Sequence, residues 1–302
     1  MFNQHVETRR VVKIGGSYYV ALPRSWVSEN IGDRGVVVLE AEEDGSLRIT
    51  PLKLKDRREG VKSIRITCGG DLYRKLVSAY LRGFEVVEVA VSDECRDEVL
   101  RVVERVRQIL LGLEVVGEEP GTITLQCFTR PDYDLNSIVQ RMSSITLAML
   151  RLTLQALETG DPSLAEKFLA MDDIVDRLYF LAVRIIRSRV SDPLYPSSEK
   201  PRLVDIRLVV RNLENIGDLY EKLLRGGIRP EKVPGDLLSL LESLQRSAVA
   251  LVLGESGSRE EALELYGRLE KALEGSRTSI SPRVLETLDG VSSLLRDILD
   301  LA

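Results

Sequence analysis

The chain has 302 residues, with 44% hydrophobic residues, 29% charged residues and a formal net charge of −5. This composition is that of a folded protein of two or three domains with a sizeable core. No run approaches the roughly 20 apolar residues that a membrane-spanning helix needs, and we expect no membrane insertion. The amino-terminal residues also lack the apolar core of a signal peptide.

Histidine and cysteine usage excludes several kinds of site. His5 is the only histidine, so neither the Glu-x-x-His pairs of di-iron bundles nor the paired histidines of zincins can be built. The three cysteines, Cys68, Cys95 and Cys127, are too few and too scattered for a disulfide framework or a thiolate zinc site. We therefore expect a reducing cytoplasm, and any metal in the helical half must be held by oxygen.

Residues 7–51 are predicted to form a small β-rich unit. Residues 9–17 and 18–22 read as strands, Pro23 opens a short helix to about residue 30, and residues 36–41 and 46–51 flank a hairpin turn at Asp44-Gly45. So short a unit has too little core to be stable alone, and we expect it to dimerise.

Residues 61–128 alternate strand and helix patterns. We predict strands at 62–68, 84–91, 113–117 and 122–128, with helices at 71–83 and 92–111. Gly69-Gly70 precedes the first helix, but a lone glycine pair is far more often a turn than a phosphate-binding loop. The pattern indicates a small α/β sheet, which could be a ligand sensor or a rigid spacer.

From Asp132 onward helical periodicity replaces strand patterns. Helices are predicted at about 134–159, 162–190, 200–225, 235–253, 259–274 and 281–301. Gly226-Gly227 and Pro230 separate the first three from the last three, which indicates a repeated three-helix unit.

Two acidic pairs lie on consecutive helices of the first repeat. Asp172 and Asp176 form one pair, and Glu214 and Asp218 form the other. Spacing of four residues places both carboxylates of a pair on one helix face, about 5–6 Å apart at Cβ. Asp172 and Asp176 interrupt an otherwise apolar stripe, and carboxylates are rarely buried unless they are paired, hydrogen-bonded or metal-bound. A shared cation is one explanation, and arginine pairing from another helix is the alternative.

A plainer interpretation is a solvated face with local ion pairs. Arg211 could pair with Glu214, and Glu221 with Arg225, but these pairs leave the acidic middle of the stripe unexplained. Asp173 lies on a different stripe with Arg177 four residues later, so an ion pair suits it.

The strings Met-Asp-Asp-Ile-Val-Asp-Arg-Leu-Tyr at 171–179 and Arg-Asn-Leu-Glu-Asn-Ile-Gly-Asp at 211–218 resemble the paired acidic motifs of PhoU-type phosphate-uptake regulators. The resemblance covers residues 132–302, and Leu-Glu-x-Ile-Gly-Asp is its most specific part. It implies two three-helix bundles with metal ions bound on the surface of each. The ligands it implies are Asp172, Asp176, Glu214 and Asp218, with Asp173 a weaker candidate. An all-oxygen site suits magnesium, calcium or manganese, whereas the resemblance leans to iron or another transition metal such as zinc.

The chain departs from that family pattern in two places. Many members follow the final aspartate with histidine, where this chain has Leu219. In the second repeat, Arg296 stands where Glu214 does and Gly267 where Asp176 does, although Asp300 is kept. We therefore expect at most one metal site, in the first repeat.

The string at residues 9–26, Arg-Arg-Val-Val-Lys-Ile-Gly-Gly-Ser-Tyr-Tyr-Val-Ala-Leu-Pro-Arg-Ser-Trp, is similar to AbrB-type swapped-hairpin domains. That similarity implies an interlocked homodimer, often with a DNA-binding surface, and archaeal phosphate-uptake regulators commonly join the two modules in this order. The candidate DNA contacts are basic residues that only Glu7 opposes, namely Arg9, Arg10, Lys13 and Arg24. The alternative is that this domain only dimerises the protein.

Together these features predict a multidomain α+β protein. Residues 1–54 would be the AbrB-like dimerisation and DNA-binding domain, 55–130 the α/β module, and 131–302 the all-α PhoU-like pair of bundles, divided into 131–228 and a degenerate 229–302. The predicted function is a cytoplasmic, non-enzymatic regulator of phosphate uptake whose partners are DNA and components of phosphate transport or signalling. The alternatives are a dimeric adaptor that does not bind DNA and a carboxylate-metal phosphate-ester hydrolase. Against the hydrolase, no nucleophile, arginine clamp or glycine-rich loop accompanies the acids.

Overall fold

A computed structural model describes residues 7–32, 35–42, 44–52, 61–130, 132–227, 230–255 and 257–302. The chain divides into two compact units, residues 1–60 with 196–198, and residues 61–195 with 199–302. His5 and the predicted domain boundaries at 54/55, 130/131 and 228/229 involve residues outside the described ranges. The predicted order of a β-rich segment, an α/β sheet and a helical region is confirmed.

The first unit contains two antiparallel hairpins and one short helix. β1 (Val11–Ile14) pairs with β2 (Ser17–Val20), α1 spans Arg24–Asn30, and β3 (Val36–Ala41) pairs with β4 (Leu47–Leu52). Gly45 adopts φ +81° at the predicted turn, a conformation that favours glycine. None of the described residues between 7 and 52 is buried, so this part of the chain has no core of its own.

The α/β module forms a four-stranded sheet with two helices. Its elements are β5 (Ser63–Thr67), α2 (Leu72–Leu81), β6 (Val86–Ala90), α3 (Arg96–Ile109), β7 (Leu113–Glu119) and β8 (Thr122–Cys127). The strand order is β5-β6-β8-β7, with β5 and β6 parallel and the other pairs antiparallel. Alternate residues of β6 and β8, among them Val87, Val89 and Leu125, are buried with Leu76 and Val103 of the two helices.

Two of the three cysteines form a disulfide, although the sequence interpretation took the cysteines to be too few and too scattered for a disulfide framework. Cys68 and Cys95 form a disulfide with their Cα atoms 6.4 Å apart and a sequence separation of 27 residues. The reason is topological: β5 and β6 run parallel, and Thr67 lies opposite Ala90, so the residues after both strands emerge at the same end of the sheet. Cys127 is a buried free thiol. The cysteine pattern therefore no longer argues for a reducing compartment.

The helical region follows its predicted boundaries within a few residues. The first set comprises α4 (Leu135–Thr159), α5 (Ser163–Ser191) and α6 (Lys200–Arg225); the second comprises α7 (Gly235–Val252), α8 (Arg259–Gly275) and α9 (Pro282–Leu299). Helix starts follow from capping side chains: Asp134 accepts hydrogen bonds from two backbone amides of α4, and Ser281 accepts one in α9. The two sets share one continuous hydrophobic core, in which α6 packs against α9 and α4 against α7. None of the described helices is long and apolar enough to cross a membrane.

A buried arginine joins the α/β module to the helical region within the second unit. Arg184 of α5 is only 7% exposed. Its guanidinium donates hydrogen bonds to the carbonyl oxygens of Tyr80 and Phe84 and to Thr129 Oγ1. These three acceptors lie at the end of α2, just before β6 and just after β8, so one side chain links three segments of the module to α5.

Candidate metal centre

The four carboxylates of the two pairs lie where α5 packs against α6. Gly217 of α6 makes the close approach possible: a Cβ added there would lie 3.4 Å from Asp172 Oδ1 and 3.2 Å from Met149 Cε of α4. A larger side chain at this position would crowd both groups. Asp172, Asp176 and Glu214 are partly buried, whereas Asp218 is exposed.

Burial and mutual repulsion raise the pKa of every member of this group. Desolvation is the largest cause in each case. It raises the pKa of Asp172 to about 7, helped by the negative charges of Asp176 and Glu221, and that of Asp176 to about 6, helped by Asp218. The pKa of Glu214 is raised to about 7, with Asp218 adding to desolvation and Arg211 opposing it. The pKa of Asp218 is raised as well. Ionising the whole group would therefore place negative charge at the site that its surroundings do not fully compensate.

Glu221 also belongs to this electrostatic group. The sequence interpretation assigned Glu221 only to an ion pair with Arg225. Its charge raises the pKa values of Asp172, Asp176 and Asp218. Its position one helical turn after Asp218, on the same face of α6, is the sequence feature that indicates this role.

The local ion pairs of the plainer interpretation are formed. Arg225 lies 2.6 Å from Glu221, and Arg211 donates a hydrogen bond of 3.1 Å to Glu214 Oε1. The same Arg211 nitrogen is 2.9 Å from Glu214 Oε2, but without an aligned N–H, so Oε2 is a buried oxygen without a hydrogen-bond partner among the described residues. No lysine or arginine of the described chain forms an ion pair with Asp172, Asp176 or Asp218. Within the described chain, the alternative of an arginine from another helix pairing with Asp172 and Asp176 is therefore not observed.

The predicted ion pair between Asp173 and Arg177 is wrong for the described structure. Asp173 is exposed, whereas Nε of Arg177 is buried and has no hydrogen-bond partner among the described residues. Asp173 and Arg177 are four residues apart in sequence, as an ion pair on one helix face requires, but one is exposed and the other is partly buried. Asp173 contributes instead to the negative field that raises the pKa values of Asp172 and Asp176.

The second set of helices has a different arrangement at the corresponding positions. Arg296 lies 3.1 Å from Asp300, and its guanidinium lies 5.2 Å from the ring centroid of Tyr266. The retained aspartate is thus paired with an arginine of its own helix. Leu219 packs toward α9, where a Cβ on Gly290 would lie 3.1 Å from Leu219 Cδ1.

The donor set of the first repeat fits a cation in type and charge. Carboxylate oxygens are the ligands that hard divalent ions prefer, and the buried Glu214 Oε2 accepts no hydrogen bond among the described residues. Desolvation, with mutual repulsion, disfavours the ionised carboxylates and raises their pKa values, and a cation would offset both effects. As the side chains are placed, however, no group of three or more His, Cys, Asp or Glu residues in the described chain is arranged to hold a metal ion. Coordination would require the carboxylates to rotate toward a common point.

The candidate DNA contacts lie in the first unit. Lys13 is on β1 and lies 5.7 Å from the ring centroid of Tyr18 on β2, while Arg24 begins α1. Arg9 and Arg10 precede β1, and Arg9 is ion-paired with Glu7. All four basic residues are exposed.

Residues 139–225 match the family model of the PhoU domain. No curated protein matches the chain. The matched segment spans most of α4 and all of α5 and α6, and it contains all five candidate carboxylates. The match supports the PhoU-type resemblance over residues 139–225, while the AbrB-like resemblance of residues 1–54 stays a prediction.

Proposed function

We propose that this chain is a regulator of phosphate uptake or homeostasis without a catalytic activity of its own. The observation that carries the proposal is the PhoU-domain match over α4, α5 and α6. The PhoU family is associated with the regulation of phosphate homeostasis, and its members are regulatory rather than enzymatic. The protein partner in this proposal is a component of phosphate transport or signalling.

The carboxylate group would be the cation site of that regulator. Asp172, Asp176, Glu214 and Asp218 would supply oxygen ligands to a divalent or transition metal ion such as iron, zinc, manganese or magnesium, with Asp173 at the margin. A bound cation would supply positive charge at the α5–α6 contact and so offset the desolvation and the mutual repulsion that raise the carboxylate pKa values. The support is electrostatic: Asp172 and Asp176 are partly buried and form no ion pair among the described residues, and Glu214 Oε2 is buried without a hydrogen bond there.

The first unit would provide a homodimer, through residues 1–54, and a DNA-binding surface. Support for the dimer is the exposure of large apolar side chains on its four strands. These side chains are Val11, Val12, Ile14, Tyr18, Tyr19, Val20, Val36, Val38, Leu39 and Leu47. A second copy would cover such a surface, and it would also double the number of basic side chains available to DNA phosphates.

Phosphate uptake in cells tests the proposed function. Deleting the gene should alter the ratio of uptake rates in phosphate-rich and phosphate-poor medium, and the wild-type chain should restore that ratio. A Glu214→Gln chain should fail to restore it, because the cation site loses a charged ligand. Glu158→Gln, which changes an exposed carboxylate of α4, is the matched control and should restore the ratio. Unchanged uptake after deletion would contradict the proposal.

DNA binding is tested by its dependence on salt. The protein should bind DNA from its own promoter, and changing Arg9 and Arg10 to alanine should weaken binding in every sequence context. Because a dimer would lose four positive charges, the slope of log affinity against log salt should become shallower by up to about 3–4 units.

The control for this experiment replaces two exposed arginines elsewhere, Arg101 and Arg141, with alanine. Sedimentation should show that both variants keep the mass of a dimer. If the Arg9/Arg10 variant and the control bind DNA with the same affinity and slope, the DNA-binding assignment is wrong and the dimeric adaptor is favoured.

A further inference from the structure

A cavity of about 250 Å³ lies within the second unit, between the carboxyl-terminal half of α5 and the segment that follows β8. We call it the α5 cavity. Its lining includes Arg184 and Ser188 from α5, Thr129 and Arg130 from the segment after β8, and Glu85, which immediately precedes β6. It is separate from the carboxylate group, since none of the candidate metal ligands lines it.

Arg184 brings a buried positive charge to this cavity without a negative partner. Its hydrogen-bond acceptors are two backbone carbonyls and one hydroxyl, all of them neutral. Among the described residues, no carboxylate forms an ion pair with it, although the side chain is only 7% exposed. The other contact of its guanidinium is the Tyr80 ring, whose centroid is 4.8 Å away. Buried charges in proteins are usually paired, so a buried arginine with neutral acceptors alone is an unusual arrangement.

The guanidinium also has more donors than these contacts use. An arginine carries five N–H groups in a planar fork that suits oxyanions. The three hydrogen bonds to Tyr80, Phe84 and Thr129 account for one donor on each nitrogen. Two N–H groups of Arg184 therefore remain without an acceptor in these three contacts, and Arg184 lines the cavity.

The rest of the lining adds a second positive charge and polar hydroxyls. Arg130 is exposed at the cavity, and Thr129 and Ser188 contribute hydroxyl groups. Glu85 is the one acid of the lining; it is exposed and forms no ion pair with either arginine among the described residues. Two arginines against one carboxylate leave the cavity with an excess of positive charge.

We propose that the α5 cavity binds a small oxyanion, with Arg184 at its inner wall and Arg130 at its opening. Phosphate, sulfate and short carboxylates share the required chemistry, because each offers oxygens that accept paired N–H donors from a guanidinium. The cavity volume of about 250 Å³ is larger than the space that several water molecules occupy and smaller than a typical drug-sized pocket. It therefore suits a small ion. This inference does not depend on the proposed function, since an oxyanion site is compatible with any role of the α/β module.

Calorimetric titration of the full-length protein with inorganic phosphate tests this site, with sulfate and malonate as separate arms. The protein is first treated with a chelator and then dialysed free of it, which removes any metal at the carboxylate group through which an anion could bind. At least one of the three anions should bind. Arg130→Ala should weaken that binding about tenfold, the loss expected for a charged hydrogen-bond partner. Ser188→Leu should also weaken it by filling the cavity.

Arg101→Ala is the matched control, because it removes an exposed arginine of α3 that does not line the cavity. It should bind the anion as the wild-type protein does. Arg130 and Ser188 are chosen because Arg184 also holds Tyr80 and Phe84, so its replacement tests folding as well. The proposal is overturned if none of the three anions binds, or if Arg130→Ala and Ser188→Leu bind them as tightly as Arg101→Ala does.

Discussion

The metal-free protein should lose stability as the pH rises from about 4 to about 8, and Asp172→Asn should remove a large part of that loss. The pKa of Asp172 and of Glu214 is raised to about 7, and that of Asp176 to about 6, all above their ordinary values. Between the ordinary and the raised pKa values the native state holds more protons than the unfolded state. The stability that these protonated groups contribute is therefore complete below the ordinary values and is lost as the pH rises through the raised ones.

Urea unfolding in a chelating buffer, at several pH values across that window, measures this effect. Asn keeps the shape of the Asp172 side chain but cannot ionise, so the variant should show a smaller decrease in unfolding free energy with pH. Glu158→Gln changes an exposed carboxylate outside the group and should retain the wild-type slope. Equal slopes in the wild type and in Asp172→Asn would contradict the electrostatic account of the site.

Replacing Arg184 with methionine should destabilise the second unit by about 2–4 kcal/mol. Methionine fills a similar volume but leaves the carbonyl oxygens of Tyr80 and Phe84 and the hydroxyl of Thr129 without their donor. An unsatisfied buried acceptor costs roughly 1–3 kcal/mol, and bound water would offset part of the sum.

Arg187→Met on the same helix is the control, since Arg187 is exposed and should tolerate the change within about 0.5 kcal/mol. Chemical denaturation followed by a probe in the second unit gives both values. Equal stability of the two variants would show that Arg184 does not hold the α/β module to α5.

The sequence predicted the helical half well because its boundaries depend on local chemistry. Asp134 and Ser281 cap α4 and α9 as side chains of their type commonly do, and Gly160 ends α4 with φ +69°. The acidic pairs were found for a similar reason, since a spacing of four residues fixes their helix face without reference to the rest of the fold.

Features that depend on contacts between distant segments were missed or predicted wrongly. The Cys68–Cys95 disulfide requires the parallel pairing of β5 with β6, which neither strand specifies by itself. Arg184 has acceptors about 55 to 104 residues away in sequence, so nothing local distinguishes it from the exposed Arg187. Asp173 and Arg177 have the spacing of an ion pair, but tertiary packing buries Nε of Arg177 away from its expected partner.

The central structural claim of the regulatory account is the cation proposed for the carboxylate group of α5 and α6. Metal titration of the chelator-treated protein, followed by elemental analysis of the dialysed complex, tests it most directly. The account predicts one ion per chain in the wild type and in Glu158→Gln. It predicts an affinity lower by at least about tenfold in Asp176→Asn and Glu214→Gln. The same metal content and affinity in all four proteins would contradict it.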